Sequence, residues 1–199
     1  KRDPDNVFSN LVTFLSRNPT EIIILNFQMS IGNPSPMELW DLMSSIGGLK
    51  DLVYVHTEGT SWPTMGAMLQ MGKQVIAFQH NGDSGYTPEI PDFFDYTMGT
   101  HWDFEDVEAI VDPSSCNIQR GGGSTKDFFS VNHFVTGVFG PSKSAAETIN
   151  QQDFLEDRIN TCADANGKMP NFVSVDFWQR GDLLFVTQEM NKANAARRL

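Results

Sequence analysis

One carboxylate and four histidines are the side chains best suited to chemistry. Asp176 stands in Phe172-Val173-Ser174-Val175-Asp176-Phe177-Trp178. A carboxylate among so many apolar neighbours needs a partner, or its pKa rises. It therefore serves a site, as an orienting carboxylate or general acid, or it serves the fold, by capping backbone or pairing with Arg180. The site role is the expectation. Asp182 follows Gly181 and precedes a helical stretch, so it reads as a helix N-cap. His56, His80, His101 and His133 show no HExxH spacing, and Cys116 has no neighbouring Cys or His. No metal site is expected from them. His80 comes where a strand ends and can reach a site. His101 and Trp102 share a loop that can cover one. His133 alternates with Asn132 and is expected to face helices. The acidic run Asp103, Glu105, Asp106 and Glu108 lacks the spacing of a calcium loop and reads as a solvated face. Gly121 to Gly123 is followed by no GKS or GKT, and no GxSxG elbow occurs.

Strands and helices must position these groups. Phe8, Leu11, Val12 and Leu15 have helical spacing and stop before Asn18-Pro19. Glu21 to Gln28 and Lys73 to Gln79 are short apolar runs that predict buried strands. Ile31 to Pro36 and Asn81 to Pro91 are loops, and Gly121 to Ser124 is a flexible one. Ser35 and Pro36 open a helix bearing Leu39, Leu42 and Met43. Leu52 to Val55 is extended, and Ser61-Trp62-Pro63 opens a helix that stops at Gly72. Phe93 to Met98, Asp127 to Phe134 and Asn171 to Phe177 predict three further strands. Ala145 to Ala163 is helical with a break near Gln151. Leu183 to Ala196 is helical, with Arg197 and Arg198 suited to its C-terminal dipole. Strands alternating with helices favour a parallel α/β fold. A period of two groups Ile22, Ile24, Asn26 and Gln28 on one face. The same period groups Val75, Ala77 and Gln79, then Ser130 and Asn132, then Phe172, Ser174 and Asp176. Each face turns polar only towards the strand's carboxyl end, where α/β folds place their sites.

Composition narrows the function. The 199 residues hold 14 basic and 25 acidic side chains, a net charge of −11, with 15 Phe, 4 Trp and 3 Tyr. That apolar mass supports a core. The negative balance excludes nucleic acid as the main partner and a basic patch for anionic membranes. No run approaches the ~20 apolar residues of a membrane span. Two cysteines leave one disulfide or two free thiols open.

Four strings occur in order along the chain. They are Pro19-Thr20-Glu21-Ile22-Ile23-Ile24-Leu25, Trp62-Pro63-Thr64 followed by Gly72-Lys73-Gln74-Val75-Ile76, Asn132-His133-Phe134, and Pro170 to Phe177 followed by Gly181-Asp182-Leu183. With them the chain resembles the phosphatidylinositol-specific phospholipase C X-domain family over nearly its whole length. It is most similar to the secreted, single-domain phospholipase C-like phosphodiesterases. The resemblance implies a distorted TIM barrel and a phosphoric diester hydrolase acting on a phosphoinositide or related phosphodiester. In that reaction the inositol 2-hydroxyl attacks phosphorus, one histidine acting as general base and another as general acid. A carboxylate on the last strand orients the first histidine, and Asp176 matches it.

The same resemblance makes the five strands the fourth to the eighth of the barrel. Residues 1–199 would be a single domain lacking its N-terminal strands. The family's catalytic histidines lie on the first three strands, and none of the four here matches them. The isolated chain is therefore expected to be inactive, and a missing N-terminal segment of the same protein is an implied partner. The substrate-binding positions implied are Gln28, Gln79, Asn132, Trp102 and His80. Gln28 stands where relatives have a calcium-binding acid or a lysine; a neutral amide there would bind calcium only weakly, which argues against a calcium site, and no other cofactor is expected. Gln79 replaces a basic residue and Gly99 an acidic one. In secreted members a disulfide is compatible with Cys116 and Cys162. That implies an extracellular or secretory-pathway location, peripheral at a membrane. Two alternatives stand beside the enzyme: a non-catalytic binding or structural module on the same scaffold, and a glycerophosphodiester phosphodiesterase.

Overall fold

The helical stripe of Phe8, Leu11, Val12 and Leu15 forms one side of α1 (Pro4–Arg17), with Phe8 and Leu15 buried. These coordinates are a computed structural model that describes residues 4–28, 34–80, 85–123, 125–137 and 140–196. The chain divides into two compact units, residues 1–95 and 96–199, each of mixed α/β structure.

In the first unit, β1 (Ile23–Gln28) pairs in parallel with β2 (Val75–His80). Ile23, Leu25 and Phe27 share a face with Val75, Ala77 and Gln79. That face packs on α1 and on α2 (Pro36–Ser45), through Leu15, Leu39 and Met43. Ser35 caps α2 as expected. Its hydroxyl accepts from Glu38 N at 3.3 Å, and the Glu38 carboxylate accepts from Ser35 N at 2.8 Å. A short helix, α3 (Leu49–Leu52), precedes Val53, which bridges to Val75. The next helix, α4 (Met65–Gln70), starts later than Ser61-Trp62-Pro63 suggests. Thr64 is its cap, with Oγ1 accepting from Ala67 N at 3.2 Å. On the second face of β2, Phe78 meets Trp62 at 5.8 Å and Phe93 at 5.4 Å between ring centroids.

The strand predicted over Phe93–Met98 begins only at Thr97. Asp92 Oδ1 accepts from Phe94 N at 2.7 Å, which starts a helical turn instead, α5 (Phe93–Tyr96). In the second unit, β3 (Thr97–Thr100), β4 (Ile118–Arg120), β5 (Phe128–His133) and β6 (Phe172–Val175) form one sheet in the order β4-β3-β5-β6. The β3, β5 and β6 strands are parallel, as the sequence predicts. Strand β4 is antiparallel to β3 and is not foreseen. Two short helices, α6 (Val107–Val111) and the 3-10 turn Pro113–Cys116, lie between β3 and β4. The expected break near Gln151 separates α7 (Lys143–Ile149) from α8 (Gln152–Asn166). Helix α9 (Leu183–Ala196) ends the described chain.

One face of this sheet carries Met98, Phe129, Val131, His133, Val173 and Val175. It packs on α8 and α9 through Leu155, Ile159, Cys162 and Val186. A disulfide joins Cys116 of the 3-10 turn to Cys162 of α8. Residues 31–33, Asn81–Ser84, Ser124 and the basic pair Arg197-Arg198 lie outside the described residues.

Candidate functional site

The face of the second sheet turned away from α8 and α9 carries Thr97, Gly99, Phe128, Ser130, Asn132, Phe172 and Ser174. Thr97, Ser130, Asn132 and Ser174 bring hydroxyls and an amide to a ladder otherwise made of Gly99, Phe128 and Phe172. Asp176 stands one residue beyond the end of β6. It is half-buried, and burial raises its carboxyl pKa above the ordinary value. Among the described residues its carboxylate takes no hydrogen bond. Arg180, the ion-pair partner that the sequence offers, pairs with Glu147 at 3.3 Å instead. A desolvated acid without a partner is suited to hold a cationic or N–H group brought to it.

The turn after Asp176 is tightly fixed. The Asp176 carbonyl accepts from Asn150 Nδ2 at 2.9 Å. Phe177 has φ of 49°, the left-handed region, which costs a non-glycine residue roughly 1–2 kcal/mol. Asp182 precedes α9 as an N-cap should, and its N–H donates to the Asn150 carbonyl at 2.8 Å. Its carboxylate, however, accepts from Gln152 N at 3.0 Å and so caps α8. Asp182 thus stands at the N-cap position of α9, its carbonyl accepting from Val186 N at 2.9 Å, while its carboxylate serves α8.

Asn132 lies at the carboxyl end of β5, the strand beside β6. Its N–H donates to Thr100 Oγ1 at 3.0 Å and its Nδ2 to Thr100 O at 2.9 Å. These bonds tie β5 to the end of β3, so half of the Asn132 amide is committed to the fold. Trp102, just past β3, is 39% exposed. The Arg120 guanidinium stacks over its ring at 4.9 Å. Arg120 is a cation on the Gly99 face of the sheet, paired in register with Gly99, and it escapes the sequence reading. His101, between Thr100 and Trp102, contacts Gln119 Oε1 at 2.6 Å and Asp103 O at 2.8 Å.

The remaining candidates lie in the first unit. Gln28 and His80 are register partners at the carboxyl ends of β1 and β2. The His80 ring meets Phe94 edge-on at 5.5 Å. Gln79 pairs with Phe27, on the face opposite Gln28 and His80, and is 2% exposed. Its Oε1 is buried without a hydrogen bond. The period of two separates Gln79 from the other two.

His133 faces the helices, as the alternation predicts. Its Nε2 bonds the Ile149 carbonyl at 2.8 Å. Burial, aided by the Arg158 charge, lowers its pKa to about 4. Arg158 of α8 is a second group that the sequence does not single out. It is 6% exposed, and its guanidinium bonds Ser115, Asn132 O and Cys116 Sγ. A cavity of about 350 Å³ lies beside this pair, between α8 and α6, and does not include Asp176. Among the described residues, no three His, Cys, Asp or Glu gather as metal ligands. None of their helices is long and apolar enough to cross a membrane.

Known proteins give the arrangement a context. The family model described as PI-PLC X 1 matches residues 5–191. A PI-PLC X domain-containing protein 1 from Arthroderma benhamiae is 26% identical over 192 residues, covering 90% of this chain and 61% of the relative. A PI-PLC X domain-containing protein from Arabidopsis thaliana is 23% identical over 181 residues, covering 89% of this chain and 41% of the relative. The chain thus spans less than two thirds of either relative. No solved structure matches it.

Proposed function

The chain belongs to the PI-PLC X domain family, and from that premise we propose that it works as part of a phospholipase C-like phosphoric diester hydrolase. The substrate is a phosphoinositide or a related lipid phosphodiester. One observation carries the reading: a half-buried carboxylate with a raised pKa and no partner, at the carboxyl end of a parallel strand. In this role Asp176 accepts an N–H from a histidine. It fixes that ring's tautomer and stabilises the imidazolium formed when the histidine takes the attacking hydroxyl's proton.

The base and the acid are proposed to come from a segment of the same protein outside residues 1–199, which would complete a TIM barrel of which the five parallel strands, β1, β2, β3, β5 and β6, are the fourth to the eighth. His133 and His101 suit neither role. His133 is buried and neutral, and both ring nitrogens of His101 are engaged. Gln28, a neutral amide beside His80, does not suit calcium, and no step is assigned to a metal. The Cys116–Cys162 disulfide is compatible with an extracellular location, and we place the protein there, peripheral at its lipid substrate.

The test is turnover of phosphatidylinositol by the full-length protein. Asp176→Asn should lower kcat by ~10²-fold or more. Undiminished turnover would remove Asp176 from the mechanism. A second reading, a non-catalytic module, is favoured by the neutral Gln28 and by Gly99 at positions the family charges, while Gln79, expected beside them, is turned to the face packed on α1 and α2. It requires that the full-length protein bind the lipid and cleave none.

A further inference from the structure

Asn150 sits where α7 gives way to α8, with 0% of its surface exposed. An asparagine ending a helix usually serves the helix. This one also holds both ends of the segment that carries Asp176. Its Nδ2 donates to the Asp176 carbonyl at 2.9 Å, and its own carbonyl accepts from Asp182 N at 2.8 Å. Gly181 passes so close that an added Cβ would come within 2.3 Å of the Asn150 oxygen. The Asp182 carboxylate closes the arrangement on Gln152 N. Between the two anchors the chain accepts the left-handed Phe177. Such strain persists only where the surroundings over-determine it, and it marks segments held for a purpose. The peptide plane that Asn150 grips is the one joining Asp176 to Phe177.

We infer that Asn150 is a positioning residue for Asp176: by gripping the peptide that follows, it fixes where the carboxylate stands. The inference rests on the reading of Asp176 as the orienting carboxylate. The charged groups about the turn are Arg180, engaged by Glu147, and Asp182, engaged by Gln152 N. Neither contacts the Asp176 carboxylate, so Asn150 is the group that ties its position to the helices.

Nuclear magnetic resonance on the full-length protein, first on the unaltered chain and then on two variants, tests this. The Asn150 side-chain amide signal should move with pH at the same midpoint as the Asp176 carboxyl carbon. In Asp176→Asn that movement should vanish. In a folded Asn150→Ser protein, the Asp176 midpoint should drop back towards the ordinary carboxylate value as the turn relaxes into water. Its kcat should fall ~10-fold or more, with KM less affected. An Asn150 signal that ignores the Asp176 titration overturns the inference, as does an unchanged Asp176 midpoint in folded Asn150→Ser. Co-titration in a protein that cleaves no phosphodiester sinks the proposed function and leaves Asn150 in its role. Turnover without co-titration does the reverse.

Discussion

Burial leaves the His133 imidazole 1% exposed, with one nitrogen on the Ile149 carbonyl and the other without a partner. A proton added there would be desolvated and would face the Arg158 guanidinium, so its pKa falls to about 4. An unfolded chain would protonate the same ring near 6.5. Between those values the unfolded state binds more protons, so stability rises with pH. The contribution is whole above pH ~6.5 and is lost progressively as pH falls to about 4, on the order of 3 kcal/mol in all. Asp176 acts oppositely near its own titration, since its folded pKa is raised. His133→Gln keeps a donor for Ile149 and removes the titration. Urea midpoints for the two proteins should converge as pH drops through this window, and parallel curves would remove His133 as the cause. The outward order of the residues was legible for Asp176 and His133, because a lone charge in an apolar run and a strict alternation are local signals. Asn150 and Arg158 were not. Each lies in a helical stretch of polar appearance, and each owes its burial to groups 26 to 43 residues away.

Elements were legible where a cap or an unbroken apolar run speaks for itself. Ser35-Pro36 with Glu38 opens α2, Val75 to Phe78 builds β2, and Asn150-Gln151 divides α7 from α8. They were illegible where tertiary contacts outweigh propensity. Phe93 and Phe94 favour a strand by type, yet the Asp92 carboxylate turns them into a helix start. Strand β4 has three residues, too few for any period to show. It exists because Gly121 lets the chain leave β4 against β3. Gly121 has φ of 75°, and an added Cβ would lie 1.9 Å from Thr97 O. Gly121→Ala should therefore cost about 2 kcal/mol or more and expose the β3–β4 amides to hydrogen exchange. Gly123 also has positive φ, but a Cβ there meets nothing closer than Thr125 Oγ1 at 3.9 Å. Gly123→Ala should cost no more than about 1 kcal/mol. Equal losses for the two would show that conformation, not the approach to β3, sets the need for glycine at 121.

At the scale of the molecule, the sequence carries 25 acidic against 14 basic side chains, and the second unit holds both cysteines. Excess like charge favours expansion of the chain, so a crosslink there matters more than its one bond suggests. Cys116 and Cys162 are 46 residues apart, and the closed loop contains β4, β5 and α7. Closing a loop of that length removes unfolded-state entropy equivalent to about 4 kcal/mol. The bond also pins the 3-10 turn to α8, where Arg158 bonds Ser115 and reaches the Asn132 carbonyl. Reduction therefore acts on two levels. It lengthens the free loop, and it loosens the guanidinium that links α8 to the end of β5. Cys116→Ser with Cys162→Ser should lower the melting temperature clearly, and hydrogen exchange should rise first over residues 113–120 and 158–166. Because Arg158 still has Ser115 and Asn132 as acceptors, the β5–β6 ladder should keep most of its protection. Mass spectrometry after alkylation, with and without reductant, reports the bond itself, and two alkylated thiols in the unreduced protein would refute it. A double variant as stable as the parent would mean that Arg158, together with Asn166 Nδ2 on the carbonyl at position 116, holds the turn on α8. Arg158→Met in that background should then destabilise the second unit further, since the Ser115 hydroxyl and carbonyl and the Asn132 carbonyl would lose the guanidinium that donates to them.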